Sequence, residues 1–287
     1  MRNIADELGR APAGGPILVA LTFDVDAESG WLGQGDHFKE RLTTLSEARY
    51  GITRGLPRIL ALLADIGAKS TFYVPGLTAE MHPSVIPSLL SAGHEVAHHG
   101  YLHRSSVGLS DQEQADELGR AVDILRSVTG TMPSGYRSPA WELTPTTFRL
   151  LCEHGFKYDS SMMGDDVPYI ESCDGRTLLE IPVHWTLDDW PYFAWSEYLG
   201  GGHLTSPRQW ADAWYLEYQA ATAESRSITY TMHPEVTGRG GRMVALRELL
   251  ERIASDGRAR FVTHSELAAI SEVSIATEQP EPRMRAR

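Results

Sequence analysis

The chain has 287 residues, 42% of them apolar, and a formal net charge of −12. This length and apolar content suffice for a full hydrophobic core, and a single domain of this size is most often a sandwich or an α/β barrel. The negative charge argues against a protein that mainly binds nucleic acid, since phosphate neutralisation needs clustered Lys and Arg, and it disfavours a strongly anionic polymer as substrate. The sequence has no run of the roughly 20 apolar residues that a membrane span needs.

The terminal segments and the cysteines bear on where the protein works. Segment 1–15 lacks the apolar stretch of a secretory signal, so for a complete sequence we expect a cytoplasmic protein. Cys152 and Cys173 fit that compartment, where thiols stay reduced. Cys152 lies in an apolar helical pattern, which predicts a packed thiol, and Cys173 is predicted to lie in a polar loop. Segments 1–15 and 272–287 are both predicted to be tails.

Short apolar runs alternate with helical patterns in the domain that we predict over residues 16–271. The predicted strands are Ile17–Phe23, Ser70–Val74, Glu95–His98, Gly135–Arg137, Lys157–Ser160, Leu178–Val183, Ile228–Met232 and Arg260–Val262. The predicted helices are Arg54–Ile66, Pro83–Ala92, Asp111–Val128, Pro145–His154, Pro207–Ala223, Gly241–Ala254 and Ser265–Ile270. Ser110 and Glu113 have the spacing of a capping box, and Thr144 precedes Pro145 as a helix N-cap.

Strand–helix alternation predicts a parallel sheet with helices outside it, and about seven or eight such units in roughly 255 residues favour a closed α/β barrel. A doubly wound open sheet is the alternative, but no Gly-x-Gly-x-x-Gly follows the first strand. Most reactive residues directly follow a predicted strand: Asp24, Asp26, His98, His99, His103, Arg137, Trp141, Asp188, Asp189, His233 and Glu235. The carboxyl ends of barrel strands meet at one face, so this placement predicts an enzyme.

The segment from His94 to Arg104 holds four of the 11 histidines. His99 and His103 have the spacing that lets two imidazoles converge on one metal ion. Asp26, two residues after Asp24, would complete a set of one carboxylate and two imidazoles, which leaves coordination positions open for water and substrate. The alternatives are a polar loop with hydrogen-bonded histidines and acidic residues that cap the next turn. His98 is expected to face away from His99 and to pack in the core.

Other residues near the same predicted face carry candidate roles. His233 ends an apolar strand, where its imidazole can act as a general acid or cap the following turn. Arg137 can pair with Asp24 and keep that aspartate ionised and oriented, or it can serve stability alone. Asp188 and Asp189 form a polar turn, and either is a candidate for the catalytic environment. Three loop tryptophans are either core residues or a surface that stacks on a sugar or another flat ring: Trp31, Trp141 and Trp190.

Taken in order, these segments resemble the motifs of the polysaccharide deacetylase superfamily, the NodB-homology domain or carbohydrate esterase family 4. The matching segments are Thr22-Phe-Asp-Val-Asp26, His99-Gly-Tyr-Leu-His103, Arg137-Ser-Pro-Ala-Trp141, Asp188-Asp-Trp190 and Met232-His233. The resemblance implies a distorted (β/α)7 barrel of TIM type, a divalent metal ion such as zinc, and frequent homo-oligomerisation. It implies the following roles: Asp24 as base, Asp26, His99 and His103 as metal ligands, Arg137 and Asp189 as supporting catalytic residues, and His233 as acid.

Two departures from the commonest motifs indicate a branch of this superfamily. Val25 separates aspartates that are usually adjacent, and Gly100-Tyr-Leu102 replaces the usual Ser/Thr spacing between the histidines. Both features are more similar to the intracellular branch, which includes a bacterial peptidoglycan-deacetylase type and cyclic imide hydrolases. Metal-independent allantoinases of the same superfamily lack the metal aspartate, so Asp26 argues against that group.

The sequence therefore predicts a metal-dependent hydrolase of non-peptide carbon–nitrogen bonds, most simply one that removes acetate from an N-acetylated sugar. The first alternative is an amidohydrolase of a small cytoplasmic ring, such as a cyclic imide or ureide. The insertions at residues 28–50 and 185–204 bear on this choice, because an open groove suits polymer chains and a closed mouth suits small rings. The second alternative is a barrel that binds a glycan without catalysis. We expect no nucleic-acid or membrane partner.

Overall fold

The computed structural model describes residues 15–196, 201–202 and 204–278. In this part of the chain, nine strands form one sheet. They are β1 (Ile17–Asp24), β2 (Thr71–Val74), β3 (Glu95–His98), β4 (Gly135–Tyr136), β5 (Tyr158–Asp159), β6 (Tyr169–Cys173), β7 (Arg176–Glu180), β8 (Ile228–Met232) and β9 (Ala259–Val262). The strand order is β6-β7-β5-β4-β3-β2-β1-β8, and all neighbours run parallel except β6 and β7.

Strand β9 pairs with the same edge of β1 as β2 does. Val19 pairs with Ile228 of β8 and with Phe261 of β9, so β8 and β9 lie on opposite sides of β1. Among the described strands, the ladder does not return from β8 to β6, and the sheet is a curled half-barrel. The predicted fold class, a distorted α/β barrel in a single domain, is confirmed. The barrel is open rather than closed, because the described strands β6 and β8 do not pair with each other.

Helices cover the sheet along its outer face and its end. They are α1 (Ser29–Leu32), α2 (Leu42–Tyr50), α3 (Leu56–Ile66), α4 (Gly76–Met81), α5 (Val85–Ser91), α6 (Asp111–Thr129), α7 (Pro145–His154), α8 (Trp190–Phe193), α9 (Pro207–Glu224), α10 (Pro234–Thr237), α11 (Gly240–Ala254) and α12 (His264–Glu278). Shorter 3₁₀ turns span Asp36–Glu40, Pro139–Trp141 and Trp185–Leu187, and a π-helical turn spans Gly51–Gly55. None of the helices in the described ranges combines the length and apolar character that a membrane crossing requires.

The central strand β1 is buried on both faces, which explains its continuous apolar run. Val19, Leu21 and Phe23 pack against the outer helices α3, α9 and α11. Leu18 and Ala20 point to the other side, where α12 covers the inner face of the sheet. This packing holds the carboxyl end of β1, with Asp24, in a fixed position.

The predicted helix starts at α6 and α7 are confirmed. The Ser110 hydroxyl accepts the Glu113 N–H at 3.3 Å, and the Glu113 carboxylate accepts the Ser110 N–H at 2.8 Å. The Thr144 hydroxyl accepts the Thr147 N–H at 3.1 Å, directly before the proline that begins α7. Local capping chemistry therefore defined these boundaries in the sequence.

Several elements differ from the prediction, among them β6, α2 and α12. Strand β6 was not predicted, and it places Cys173 at a strand end and not in a loop. Helix α2 was not predicted either, because only Ala48 in it is fully buried. Helix α12 continues past residue 271 to Glu278, since Ile275 is buried against the inner core. Of the predicted tails, residues 1–14 and 279–287 lie outside the described residues.

Two predicted core residues lie where they were expected. Cys152 is half-buried against the core beneath α7, and burial raises the pKa of its thiol, which suits a packing role. His98 is fully buried, with Nε2 donating to the Leu118 carbonyl at 3.1 Å and Nδ1 accepting the Gly100 N–H at 3.1 Å. Its imidazole supports the start of the loop that carries His99 and His103.

Candidate active site

A cavity of about 230 Å³ opens at the carboxyl ends of β1, β3 and β8. Nine of the sequence-predicted site residues line it: Asp24, Asp26, Trp31, His99, His103, Trp141, Asp188, Trp190 and His233. The other two, Arg137 and Asp189, are completely buried behind the wall. The structure thus brings together residues from distant segments at one end of the sheet.

Asp26, His99 and His103 present their side-chain ligand atoms within 4.8 Å of one another. Asp26 Oδ1 lies 3.4 Å from His99 Nε2, and Asp26 Oδ2 lies 3.2 Å from His103 Nε2. Burial alone would raise the pKa of Asp26, but the neighbouring imidazoles outweigh it and hold the pKa below its usual range. The carboxylate is therefore ionised and available as a ligand.

The hydrogen bond of His99 determines which of its nitrogens faces the carboxylate. His99 Nδ1 lies 2.8 Å from the Arg137 carbonyl oxygen, which can only accept, so Nδ1 carries the proton. Burial lowers the pKa of His99, which favours the neutral ring with a lone pair on Nε2. Asp26 Oδ1 is buried and has no hydrogen-bond partner among the described residues. Two lone pairs that face each other at this distance fit a cation between them, and a divalent metal ion suits this donor set.

Tight backbone turns hold these ligand atoms in place. The Asp26 carbonyl accepts the Ser29 N–H at 3.1 Å and the Thr78 hydroxyl at 2.7 Å. His103 adopts a left-handed backbone conformation with a φ of 56°. Its loop packs so closely on α1 that a Cβ at Gly33 would lie 1.9 Å from the Leu102 carbonyl oxygen. Glycine is required at this crossing, and the contact fixes the loop against the Asp26 segment.

Asp24 is held by a buried guanidinium. Arg137 Nη1 donates to Asp24 Oδ1 at 2.7 Å and to the Thr22 hydroxyl at 2.9 Å. The guanidinium also lies over the Tyr73 ring, 4.0 Å from its centroid. Burial would lower the pKa of Arg137, but the Asp24 carboxylate outweighs burial and raises that pKa above its usual value, so the guanidinium stays charged. The second oxygen of Asp24 lies 3.7 Å from His99 Nε2, beside the proposed cation position.

His233 lies across the cavity and is held by Asp189. Its Nδ1 is 2.7 Å from Asp189 Oδ1, while Asp189 Oδ2 accepts the His233 N–H at 3.0 Å and the Thr237 hydroxyl. Its Nε2 is 3.8 Å from Asp26 Oδ2. Burial would lower the pKa of His233, but Asp189 and Asp188 raise it well above its usual value. The imidazole thus keeps a proton that it can deliver into the cavity.

The structure separates the two aspartates that the sequence could not distinguish. Asp189 contacts His233 from behind, whereas Asp188 lines the cavity. Asp188 Oδ1 accepts the Trp190 N–H at 2.7 Å and lies 3.7 Å from His233 Nδ1. Burial raises the pKa of Asp188.

Tryptophans form two walls of the cavity. Trp141 stacks on Trp185, with ring centroids 4.4 Å apart and an interplanar angle of 27°. On the other side, Trp190 contacts Trp31 and the His233 ring, at centroid distances of 6.4 and 5.3 Å. Trp185 is 44% exposed and was missed in the sequence, although it lies in the predicted 185–204 insertion. Such faces suit a flat or ring-shaped substrate.

Glu235 is a second residue whose role the sequence did not reveal. It lines the cavity, is buried, and its Oε2 has no hydrogen-bond partner among the described residues. Burial raises its pKa well above the usual range, and the Asp26 carboxylate raises it further. The π-helical turn lies so close that a Cβ at Gly51 would be 2.8 Å from this oxygen. A buried carboxyl group with a raised pKa is thus fixed at the cavity wall.

Comparison with known proteins agrees with this geometry. The family model for polysaccharide deacetylase matches residues 13–158, which include Asp24, Asp26, His99, His103 and Arg137. The chain belongs to the polysaccharide deacetylase family. The predicted resemblance is thereby confirmed, and the family makes the chain a member of a group of hydrolases. The match ends before Asp189 and His233, so the family model does not cover these two residues, and their roles are argued from the geometry of the structure.

Several relatives extend the similarity over nearly the whole chain. A peptidoglycan deacetylase from Helicobacter pylori is 29% identical over 279 residues, which cover 88% of this chain and 95% of the relative. The crystal structure of a presumed polysaccharide deacetylase from Mycobacterium smegmatis has a TM-score of 0.90 and 37% identity, with 98% of each chain covered. The structure of Puue allantoinase has a TM-score of 0.80 over 94% of each chain, and at 22% identity it supports the fold alone.

Proposed function

We propose that this protein is a metal-dependent deacetylase that hydrolyses the amide bond of an N-acetylated sugar. One observation carries the proposal: Asp24 and His233 line the same cavity as Asp26, His99 and His103. A base, an acid and a cation site in one enclosed space are what amide hydrolysis requires. A barrel that merely binds a glycan would need neither the clamped base nor the protonated imidazole.

Asp26, His99 and His103 would hold the cation, for which zinc is the best candidate given one carboxylate and two imidazoles. When bound, a zinc-like ion supplies Lewis acidity, which lowers the pKa of a water molecule and polarises the amide oxygen. Asp24 accepts the proton of the attacking water, and Arg137 orients Asp24 by a hydrogen bond. His233 donates its proton to the departing nitrogen, while Asp189 holds the imidazole in place.

Cavity size supports a substrate with one ring in the site. Its volume of about 230 Å³ lies below the range of roughly 300–1,000 Å³ that drug-sized ligands occupy. Residues from both sequence insertions line it, including Trp31 of the first and Trp185 and Trp190 of the second. This enclosure favours a single sugar residue or a short chain end, and it also favours the second candidate, a cyclic imide or ureide.

Turnover of two substrate sets distinguishes these candidates. Acetate release from N-acetylglucosamine and its oligomers, with no opening of succinimide or hydantoin, is the result that we expect. Ring opening without acetate release would support the second candidate instead. If the zinc-loaded protein cleaves neither set, the proposed reaction is wrong.

His233→Asn tests the acid. We expect kcat for amide hydrolysis to fall about a hundredfold or more, because the amine leaves poorly without a proton. An activated ester such as 4-nitrophenyl acetate has a leaving group that needs no proton, so its hydrolysis should change only a few-fold. Equal losses on both substrates would contradict the assigned role and indicate a general disturbance of the site.

Glu235→Leu tests the unpartnered carboxyl group at the cavity wall. We expect KM to rise about tenfold with little change in kcat, because the loss of one hydrogen bond to the substrate weakens binding by about that factor. Glu235→Gln keeps a donor at this position and should retain most of the affinity. Unchanged KM in Glu235→Leu would show that this side chain does not contact the substrate.

Homo-oligomerisation, which the family resemblance implies, stays a prediction. Light scattering coupled to size exclusion measures the mass of the particle directly.

A further inference from the structure

Two carboxyl groups lie buried beneath the active site, and the reaction outlined above does not use them. Asp159 ends β5 and Glu180 ends β7, and the two residues are partners in the parallel register. Both are wholly inaccessible to solvent. Each has one oxygen without a hydrogen-bond partner among the described residues, Asp159 Oδ2 and Glu180 Oε2. A proton shared between these two oxygens would satisfy both, since adjacent carboxylates cannot both stay charged in an apolar interior.

The direction in which burial shifts the two pKa values agrees with a shared proton. Burial raises the pKa of both groups, and for Glu180 the charge of Asp159 raises it further. One negative charge on the pair at neutral pH is the expected state. This arrangement differs from a salt bridge, because Arg137, whose charge acts on Asp159, donates its hydrogen bonds to Ser160, Thr22 and Asp24.

The pair holds segment 160–162, which follows β5. Glu180 Oε1 accepts the N–H groups of Ser161 and Met162, each at 2.9 Å. Asp159 Oδ1 accepts the Ser161 hydroxyl at 2.8 Å. With three hydrogen bonds to two consecutive residues, the two carboxyl groups fix segment 160–162.

Segment 160–162 holds both Arg137 and the next residue, Ser138. Arg137 Nε donates to the Ser160 carbonyl at 3.0 Å, and Nη2 donates to the Ser160 hydroxyl at 3.0 Å. The Ser138 N–H donates to the Ser161 hydroxyl oxygen at 2.8 Å. Both the side chain of Arg137 and the backbone just after it are therefore bound to the segment that the carboxyl pair supports.

Arg137 contacts the active site at two points. Its Nη1 donates to Asp24, and its carbonyl oxygen accepts the Nδ1–H of His99. We infer that the Asp159–Glu180 pair is a positioning element that sets Arg137, and through it the orientation of Asp24 and His99. The consequence for turnover rests on the proposed function, whereas the consequence for Arg137 does not.

The test compares variants that break the pair with variants that keep its hydrogen bonds. Glu180→Leu removes the acceptor of two N–H groups, and Asp159→Ala, a milder change, serves if Glu180→Leu does not fold. Glu180→Gln retains an acceptor and supplies a donor toward Asp159. Glu171→Leu is the matched control, because Glu171 is also buried in this hairpin but, among the described residues, its carboxylate accepts a hydrogen bond only from the Ser172 N–H.

The first measurement is hydrogen exchange of the Arg137 Nε–H by NMR, with Arg137→Lys used to assign the signal. We expect exchange to accelerate at least tenfold in the folded Glu180→Leu or Asp159→Ala proteins and to stay slow in Glu180→Gln and Glu171→Leu. The second is zinc affinity by competition with a chelator, which should weaken about tenfold in the same disruptive variants, in line with other groups that orient metal-binding histidines. A matching fall in kcat with unchanged KM is expected.

Slow exchange of the Arg137 Nε–H in both disruptive variants would overturn the inference. Accelerated exchange in Glu171→Leu as well would also overturn it, because the effect would then reflect general loosening of the hairpin. If the wild-type protein neither binds zinc nor cleaves an amide, the proposed function fails, but the exchange measurement still decides whether the pair positions Arg137.

Discussion

Asp24→Asn is expected to lower kcat about a thousandfold and to leave zinc affinity within a few-fold of the wild type. The substitution keeps the shape of the side chain and an oxygen that can accept from Arg137, but it removes the carboxylate to which the proposed mechanism assigns the proton of the attacking water. A positioned general base typically contributes 10²- to 10⁴-fold to the rate. Asp24 is not one of the three residues in the proposed cation site.

Steady-state kinetics on the substrate identified above, together with zinc titration of the same preparation, measures both effects. Retained zinc binding shows that any loss of rate comes from the missing base and not from a damaged site. Activity within tenfold of the wild type would show that another group takes the proton. Unchanged behaviour in every assay would favour a binding protein without catalysis.

His103→Ala is expected to abolish turnover and to remove tight zinc binding. His103 supplies one of three protein ligands, and its Nε2 lies 3.2 Å from Asp26. Loss of one ligand from a set of three leaves a cation with too few protein donors to be retained at micromolar levels. His154→Ala is the matched control, since His154 is an exposed residue at the end of α7.

Chelation of the wild-type protein gives the same prediction without a mutation. Activity should disappear in the metal-free protein and return with Zn²⁺ or Co²⁺, whereas His103→Ala should not recover with either ion. Elemental analysis of each sample confirms its metal content. Full turnover in protein shown to be free of metal would contradict the proposed metal dependence.

Much of this arrangement could be predicted because it depends on local patterns. Asp24 and Asp26 follow a continuous apolar run, and the parallel sheet places the ends of such runs at one face. His99 and His103 have a spacing that one loop can close around a cation. The capping residues Ser110 and Thr144 gave helix boundaries within a residue of those observed. In each case, the residues that determine the feature lie close together in the sequence.

Other features depend on contacts between distant segments and leave no local pattern. The residues around Asp188 and Asp189 do not indicate which of the two faces His233. The pairing of Asp188 with Thr231 of β8 determines it, and this pairing forms only in the folded sheet. The Arg137 carbonyl that orients His99 is a backbone atom, so its role has no residue type attached to it. Asp159 and Glu180 are separated by the β6–β7 hairpin, and their pairing becomes visible only in the folded sheet.

Strand β6 is a whole element that its local sequence does not predict. Its first four residues alternate between buried and half-buried positions, but the sequence Tyr169-Ile-Glu-Ser-Cys173 has no continuous apolar run that would predict a strand. Pairing with β7 gives it a strand conformation that its own residues do not demand. The acidic Glu171 is thus accommodated in a strand because of its tertiary neighbours.

The central claim is that Asp26, His99 and His103 hold one metal ion, and anomalous scattering tests it most directly. Crystals grown with zinc should be measured just above and just below the zinc absorption edge. We predict a single strong anomalous peak about 2.0–2.2 Å from one carboxylate oxygen of Asp26 and from Nε2 of both histidines. A fully active crystalline protein with no peak there, or with zinc bound only elsewhere, would contradict the account.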